Sequence, residues 1–89
     1  MNISDIRIRL LQKEDNTLKA IASMTIDDCF VIHDIKILEG ERGLYIKMPS
    51  RQTADGKRAD IAHPINTPTR DMISKLILDK YQETINTQE

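Results

Sequence analysis

Few side chains in this 89-residue sequence have the types and spacing that catalysis requires. Asp60 and His63 are three residues apart, and in an extended segment such side chains point to opposite faces, so they are poorly placed as an acid–base pair or as metal ligands. We expect His63 to be a hydrogen-bonded residue at the junction of a strand and a helix. His33 lies in an apolar run on the face of Val31 and Ile35, where a structural role is the better interpretation.

The single cysteine and the three glycines match no reactive or nucleotide-binding pattern. Cys29 has no basic neighbour in the sequence to activate its thiol, so we expect it to be a small buried apolar side chain. Gly40, Gly43 and Gly56 fit neither a phosphate-binding loop nor a dinucleotide fingerprint. We therefore predict no enzyme activity, no catalytic residue, no metal site, no cofactor and no small-molecule substrate. A small hydrolase or metal enzyme built on His63 and Asp60 is the least supported alternative.

Positive charge is concentrated in the second half of the chain. The net charge of the protein is −1, but residues 42–75 contain seven basic and three acidic residues, a net charge of +4, so the remainder carries −5. Such segregation is compatible with an anionic partner. On charge alone, the better interpretation is a solvated face whose charge is balanced in space by the acidic part of the fold.

A polar loop and the helix start that follows it are the best candidates for binding phosphate. Long cationic side chains suit phosphate oxygens, and a helix start offers N–H groups and a partial positive charge. The cations of the loop are Arg51, Lys57 and Arg58, and the helix start has Thr67, Thr69 and Arg70. Lys75 is a weaker candidate because Asp71 and Asp79 flank it at i−4 and i+4. The sequence has only three aromatic residues, which disfavours an aromatic platform for single strands.

Alternation of apolar and polar residues predicts the strands that position this segment. We predict strands at Ser4–Leu11, Leu18–Ile26, Cys29–Leu38, Leu44–Met48 and Asp60–His63. Lys13–Asn16 and Glu39–Gly43 are predicted turns, Pro49 ends the fourth strand, and Ser50–Ala59 is a loop with Asp55-Gly56 at its tip. Ala20 and Ala22 leave room for a helix to pack. The third strand is apolar on both faces, which indicates a central strand or a subunit contact.

One helix is predicted in the last third of the sequence. Thr67 is the predicted N-cap and Pro68 the first helical residue. One face of the predicted helix is apolar, with Met72, Ile73, Leu76, Ile77, Tyr81 and Ile85. We expect Thr84–Glu89 to fray. The fold class is α+β: an antiparallel β-meander of about five short strands with a C-terminal α-helix packed on one face.

Length and composition give the remaining expectations. The chain is expected to form one domain over residues 1–89. Charged residues within its first fifteen exclude a signal peptide, and no apolar run is long enough to span a membrane, so we expect a cytoplasmic protein. A domain this small often needs a further stabilising device, and with one cysteine and no zinc cluster we expect oligomerisation.

The order of short motifs resembles the SpoVG family, the stage V sporulation protein G or septation regulators of bacteria. The resemblance runs from near Ile3 to Asp79-Lys80-Tyr81, almost the whole chain. Its most specific parts are His33-Asp34-Ile35, Gly43-Leu44, Met48-Pro49-Ser50, Asp55-Gly56 and Asp60-Ile61-Ala62-His63-Pro64-Ile65. It implies a cytoplasmic homodimer that regulates by sequence-preferring binding to DNA and, in some members, RNA. By position it implies binding through Arg51, Thr67, Thr69, Arg70 and Asp71.

The loop departs from the family pattern. Family members commonly carry two basic residues after Met-Pro-Ser, and the second position here is Gln52. After Asp-Gly the family usually has an aromatic and then a basic residue, whereas Arg58 and Ala59 occupy those positions here. A shift of one residue on an extended segment moves a side chain to the other face. We therefore place binding first on Arg51 and the helix start, with Gln52, Lys57 and Arg58 as supporting residues.

Two functions from different classes follow. The first is a dimeric nucleic-acid-binding regulator, indicated by the resemblance and by the positive segment. The second is a protein-interaction module of the division or sporulation machinery that makes no nucleic-acid contact and docks an acidic partner through the basic loop.

Overall fold

The computed structural model describes residues 2–11 and 17–87. In chain order the strands and helix are β1 Ile3–Leu10, β2 Leu18–Ile26, β3 Phe30–Gly40, β4 Gly43–Lys47, β5 Ser50–Gln52, β6 Arg58–Asp60 and α1 Thr67–Asn86. The predicted α+β class is confirmed, with six strands instead of about five. The predicted turn at Lys13–Asn16 lies wholly outside the described part of the chain.

The first four strands form one antiparallel sheet in the order β1-β2-β3-β4, the predicted meander. β5 and β6 form a separate two-stranded hairpin inside the predicted loop Ser50–Ala59. Their residues are almost all polar and exposed, so no apolar alternation marked them in the sequence. The predicted strand Asp60–His63 is wrong beyond Asp60, where β6 ends. Pro49 follows β4 as predicted.

The helix covers one face of the sheet and packs against β1 and β4. The core consists of fully or almost fully buried side chains from two inner strands and the helix: Ala20, Ala22, Met24, Ile35, Ile37, Ile73, Ile77 and Tyr81. The small Ala20 and Ala22 lie in this core as expected. The apolar arc of the helix is narrower than predicted, because Met72 and Leu76 are exposed.

A β-bulge in β3 corrects two sequence-based predictions. Ala22 pairs with Ile35 but Met24 pairs with Ile32, so β3 has one extra residue beside Ser23. Asp34 adopts φ 63° at this point, and the extra residue reverses the alternation. Ile32 therefore packs against the core with Ile35 and Ile37, whereas His33 is exposed and its Nδ1 lies 3.1 Å from Ser23 Oγ. His33 is thus not on the face of Ile35, β3 does not have two equally apolar faces, and the strand has one covered and one open face.

Two boundaries also differ from the predictions. Cys29 is exposed in the turn between β2 and β3, where Asp27 and Asp28 both have positive φ, so the expectation that it is buried is wrong. The N-cap is Asn66 and not Thr67, because the Asn66 Oδ1 accepts the Thr69 N–H at 2.9 Å, which places Pro68 second in the helix. The helix continues to Asn86, so the expected fraying does not extend over residues 84–86.

Among the described residues no helix is long and apolar enough to cross a membrane.

Candidate nucleic-acid interface

The hairpin of β5 and β6 carries the three predicted loop cations. Its turn is closed by two backbone hydrogen bonds, from Gly56 N to the Thr53 carbonyl (3.0 Å) and from Thr53 N to the Lys57 carbonyl (2.7 Å), and Gly56 has φ 84°. The Thr53 hydroxyl donates to the Asp55 carboxylate, and the Lys57 N–H donates to the same oxygen at 3.2 Å. The hydrogen bond from Thr53 and, to a smaller extent, the one from Lys57 lower the pKa of Asp55 below its ordinary value. The turn therefore fixes the backbone of Lys57 while its side chain stays exposed.

The register of the hairpin separates its cations. Arg51 pairs with Ala59, and Gln52 pairs with Arg58, so alternation places Arg51 on one face of the two-stranded ribbon and Gln52 and Arg58 on the other. On that second face the Arg58 Nη2 donates to Ser50 Oγ at 3.0 Å. The structure therefore does not gather Arg51, Lys57 and Arg58 into one cluster.

The helix start offers fewer backbone donors than the sequence indicates. Pro68 has no N–H, and the Thr69 N–H already donates to Asn66, which leaves only the N–H groups of Asn66 and Thr67 at this end. Thr69 is half-buried, whereas Thr67, Arg70 and Asp71 are exposed. Any anion bound here must therefore be held mainly by side chains, and above all by Arg70.

A cleft of about 320 Å³ lies between the end of β4 and the first turns of the helix. Its lining residues come from three separate segments: Ile46, Lys47, Met48, Asp60, His63, Pro64, Arg70 and Ser74. The His63 Nδ1 lies 3.0 Å from the Pro64 carbonyl oxygen, which makes it a hydrogen-bonded residue at the strand–helix junction, as expected. Among the described residues there is no group of three His, Cys, Asp or Glu side chains that could hold a metal ion.

Lys47 is the residue of this cleft that sequence reasoning missed. Lys47 is part of the positive segment, residues 42–75, but it lies at the end of an apolar strand, and no sequence pattern connected it with the loop or the helix start. Only the fold brings it to the same cleft as Arg70, 23 positions further along the chain. By contrast, Lys75 forms the predicted ion pair with Asp79, with Nζ 2.9 Å from Oδ2. Among residues 2–11 and 17–87, the ion pairs include neither Lys47 nor Arg70.

Comparison with known proteins gives one consistent result. A family model described as SpoVG matches residues 1–83. A protein of Lachnospira eligens named "Putative septation protein SpoVG" is 53% identical over 89 residues, which is the whole of both chains. Proteins of the same name from Agathobacter rectalis (58% identical; 96% of this chain and 97% of the relative) and Clostridium perfringens (56%; 97% and 94%) are similar over nearly their full lengths.

Proposed function

The chain belongs to the SpoVG family, and on that premise we propose that it is a bacterial nucleic-acid-binding regulatory protein that acts in septation or sporulation. The relatives are named for septation, and that role comes to this chain as part of the proposal. We further propose that it is a cytoplasmic homodimer that binds DNA, and also RNA, without enzymatic activity.

The observation that carries this proposal is the set of unpaired cations around the hairpin and the cleft. Arg51, Lys57, Arg70 and Lys47 all have exposed side chains, and the ion pairs among the described residues include none of them. Cations that lack acidic partners within the fold remain free to neutralise phosphates of a partner, with release of counterions. This favours the binding interpretation over a positive segment balanced by the acidic part of the fold.

Sequence preference requires groups that can contact base edges as well as phosphates. Gln52 and Asp71 are exposed, on the hairpin and in the first turn of the helix. A glutamine amide can pair with adenine, and an aspartate carboxylate can accept from the amino group of cytosine. We assign phosphate contact to Arg51 and Arg70, base contact to Gln52, Thr67 and Asp71, and supporting charge to Lys57 and Arg58; Thr69 contributes mainly to the helix start.

The test is binding of a labelled DNA duplex and a labelled RNA, selected from random pools, as salt is varied. We expect the logarithm of the association constant to fall with the logarithm of salt concentration, by about 0.9 per phosphate contact on duplex DNA. Arg51→Ala and Arg70→Ala should each weaken binding and reduce that slope by about 0.9. Lys75→Ala is the matched control, since Asp79 already pairs with that lysine.

Two results would contradict the proposal. A flat salt response of the wild-type protein, or no binding at about 50 mM salt, would exclude phosphate-led recognition. An Arg70→Ala variant that binds as tightly as the Lys75→Ala control would remove Arg70 from the interface.

Exposed apolar side chains next to the cleft favour one second candidate, a protein-interaction module with no nucleic-acid contact. Ile61 and Ile65 are 65% and 88% exposed in the segment between β6 and the helix. Isolated surface isoleucines are common, but two beside a charged cleft suit a protein contact. Partners that remain bound to the protein after nuclease treatment, and are lost on Ile65→Ser substitution, would support this function.

A further inference from the structure

The face of the four-stranded sheet opposite the helix carries a row of cations. Arg9 pairs with Ile21, Ile21 with Lys36 and Lys36 with Lys47, so these four residues follow one another across β1, β2, β3 and β4. The neighbours of each in its strand are core residues or pack against the core, so alternation places all four on the open face. At the usual strand spacing the row is about 14 Å long.

The row is electrostatically unbalanced. Lys36 and Lys47 are directly opposite each other on β3 and β4, an arrangement that destabilises a sheet unless an anion lies between the two ammonium groups. None of the ion pairs of the described residues involves Arg9, Lys36 or Lys47. Acidic groups nearby include Asp5, which pairs with Arg7 at 3.1 Å, and Glu39, which pairs with Lys19 at 3.6 Å. Asp34 in the bulge shares a surface groove with Arg9, and Asp60 lines the same cleft as Lys47.

An aromatic residue, Tyr45, lies on the same open face, with its ring turned towards the β3–β4 turn and away from the two lysines. Tyr45 is two residues before Lys47 on the same face of β4 and pairs with Leu38. A Cβ atom on Gly40 would lie only 3.0 Å from the Tyr45 Cε1 atom, so the ring rests over that glycine while half of the side chain remains exposed. Gly40 therefore leaves room for a ring that lies against the sheet and can stack on a base.

We propose that this open face binds single-stranded nucleic acid, with Lys36 and Lys47 on the phosphates and Tyr45 stacked on a base; the inference rests on the proposed function and adds a second surface to it. Three aromatic residues are too few for an aromatic platform, so the lysines supply most of the contact and Tyr45 adds one stacking ring on the same open face. This arrangement suits an unpaired strand, because a duplex buries the base faces in its own stack. Lys47 also lines the cleft that contains Arg70, so the open face borders that cleft at the end of β4.

A second copy of the chain fits this face less well. A two-fold contact places a surface against itself, so the rows of Arg9, Lys36 and Lys47 from two copies would face each other with like charge. Charge complementarity therefore favours a polyanion as the occupant.

The experiment measures the affinity of the full chain for labelled oligomers of deoxythymidine and of uridine and for a DNA duplex of equal length, by fluorescence anisotropy. For the variant Lys36→Gln with Lys47→Gln we expect weaker single-strand binding and a salt slope reduced by about 0.7 for each lost phosphate contact. Tyr45→Leu should raise the single-strand Kd by about fivefold or more, and Gly40→Ala should raise it by displacing the ring. Lys75→Gln is the charge-matched control, and melting curves verify folding, which the loss of facing lysines should not impair.

Comparison of the variants separates this inference from the proposed function. Lys36 belongs only to the open face, whereas Lys47 also lines the cleft. If Lys36→Gln binds single strands like the wild type while Arg70→Ala weakens binding, the open face is not a site and the proposed function stands. If the wild type binds no nucleic acid, both are overturned. Binding of polyglutamate as tight as that of the oligomers, unchanged in Tyr45→Leu, would overturn the single-strand assignment in favour of an acidic protein partner. If the open-face variants lose more affinity for one kind of oligomer than for the other, that difference would identify whether the face prefers RNA or DNA strands.

Discussion

Asn66 and Thr67 are adjacent residues that can both cap a helix, and only Asn66 does so, with its Oδ1 accepting the Thr69 N–H. This choice has a consequence for binding. With Pro68 next in the helix and the Thr69 N–H already occupied, the helix start retains few backbone donors for an anion. The Arg70 side chain is therefore the main cationic group there, and Thr67 keeps a free hydroxyl for a partner.

The cap assignment can be tested by stability. We expect Asn66→Ala to lower the free energy of unfolding by about 1 kcal/mol, because the Thr69 N–H loses its acceptor. Thr67→Ala should cost less than about 0.5 kcal/mol, and Asn66→Asp should be tolerated because aspartate is an equally good cap. Urea unfolding measures all three. A larger loss in Thr67→Ala than in Asn66→Ala would show that the cap is assigned to the wrong residue.

The bulge in β3 is the feature that decides what each face of the sheet presents. Because Asp34 is the extra residue, Ile32 joins Ile35 and Ile37 under the helix, while His33 and Lys36 are directed to the open face. Without it, either the isoleucines before the bulge or those after it would lie on the open face. The separation of a covered apolar face from an open cationic face therefore depends on one irregularity in one strand.

Asp34 occupies a left-handed conformation, which predicts a particular order of stability among its variants. Asp34→Val should lower the free energy of unfolding by roughly 1–2 kcal/mol, because a β-branched side chain is strained at positive φ. Asp34→Gly should be as stable as the wild type or more so, since glycine adopts this conformation without strain. Lys36→Val, at an extended position of the same strand, is the control and should change stability little. Equal stability of the valine and glycine variants at position 34 would contradict the strained bulge.

At the scale of the whole molecule, one helix covers one face of the sheet, and the other face is open. A chain of this size buries only roughly 60–65% of its unfolded surface, so a second subunit would add useful stability. Phe30 and Val31 are exposed at the start of β3, 62% and 45% respectively, which leaves apolar surface away from the cationic row. This end of the sheet suits a subunit contact better than its basic centre does.

The proposed homodimer predicts a molecular mass of twice the 10.2 kDa chain in light scattering at micromolar concentration. We also expect the melting temperature to rise with protein concentration, because dimerisation is linked to folding. Val31→Asp with Phe30→Ser should shift the mass towards the monomer, and Lys36→Gln should not. A wild-type monomer at micromolar concentration would refute the dimer, and an unchanged mass in the double variant would place the contact elsewhere.

Much of the architecture follows from local patterns. Alternation of apolar and polar residues predicted the bounds of the four strands of the main sheet to within one or two residues. The apolar periodicity predicted the helix and the buried position of Tyr81. Pro49 and Asp55-Gly56 marked a strand end and a hairpin turn correctly because their backbone preferences act within a few residues. The motif order from His33 to Ile65 was enough to indicate the family. These features depend on residues that are neighbours in the chain, and the sequence alone determines them.

Tertiary structure decided what depends on register and on distant segments. The short β5–β6 hairpin has no apolar pattern, and only pairing in space distinguishes it from a loop. The bulge at Asp34 changes every face assignment on one side of it, since one extra residue reverses a period of two. The meeting of Lys47 with Arg70, and the row from Arg9 to Lys47, join residues that no local pattern connects. Local chemistry therefore determined the elements of this protein, and strand register determined which of its charges act together.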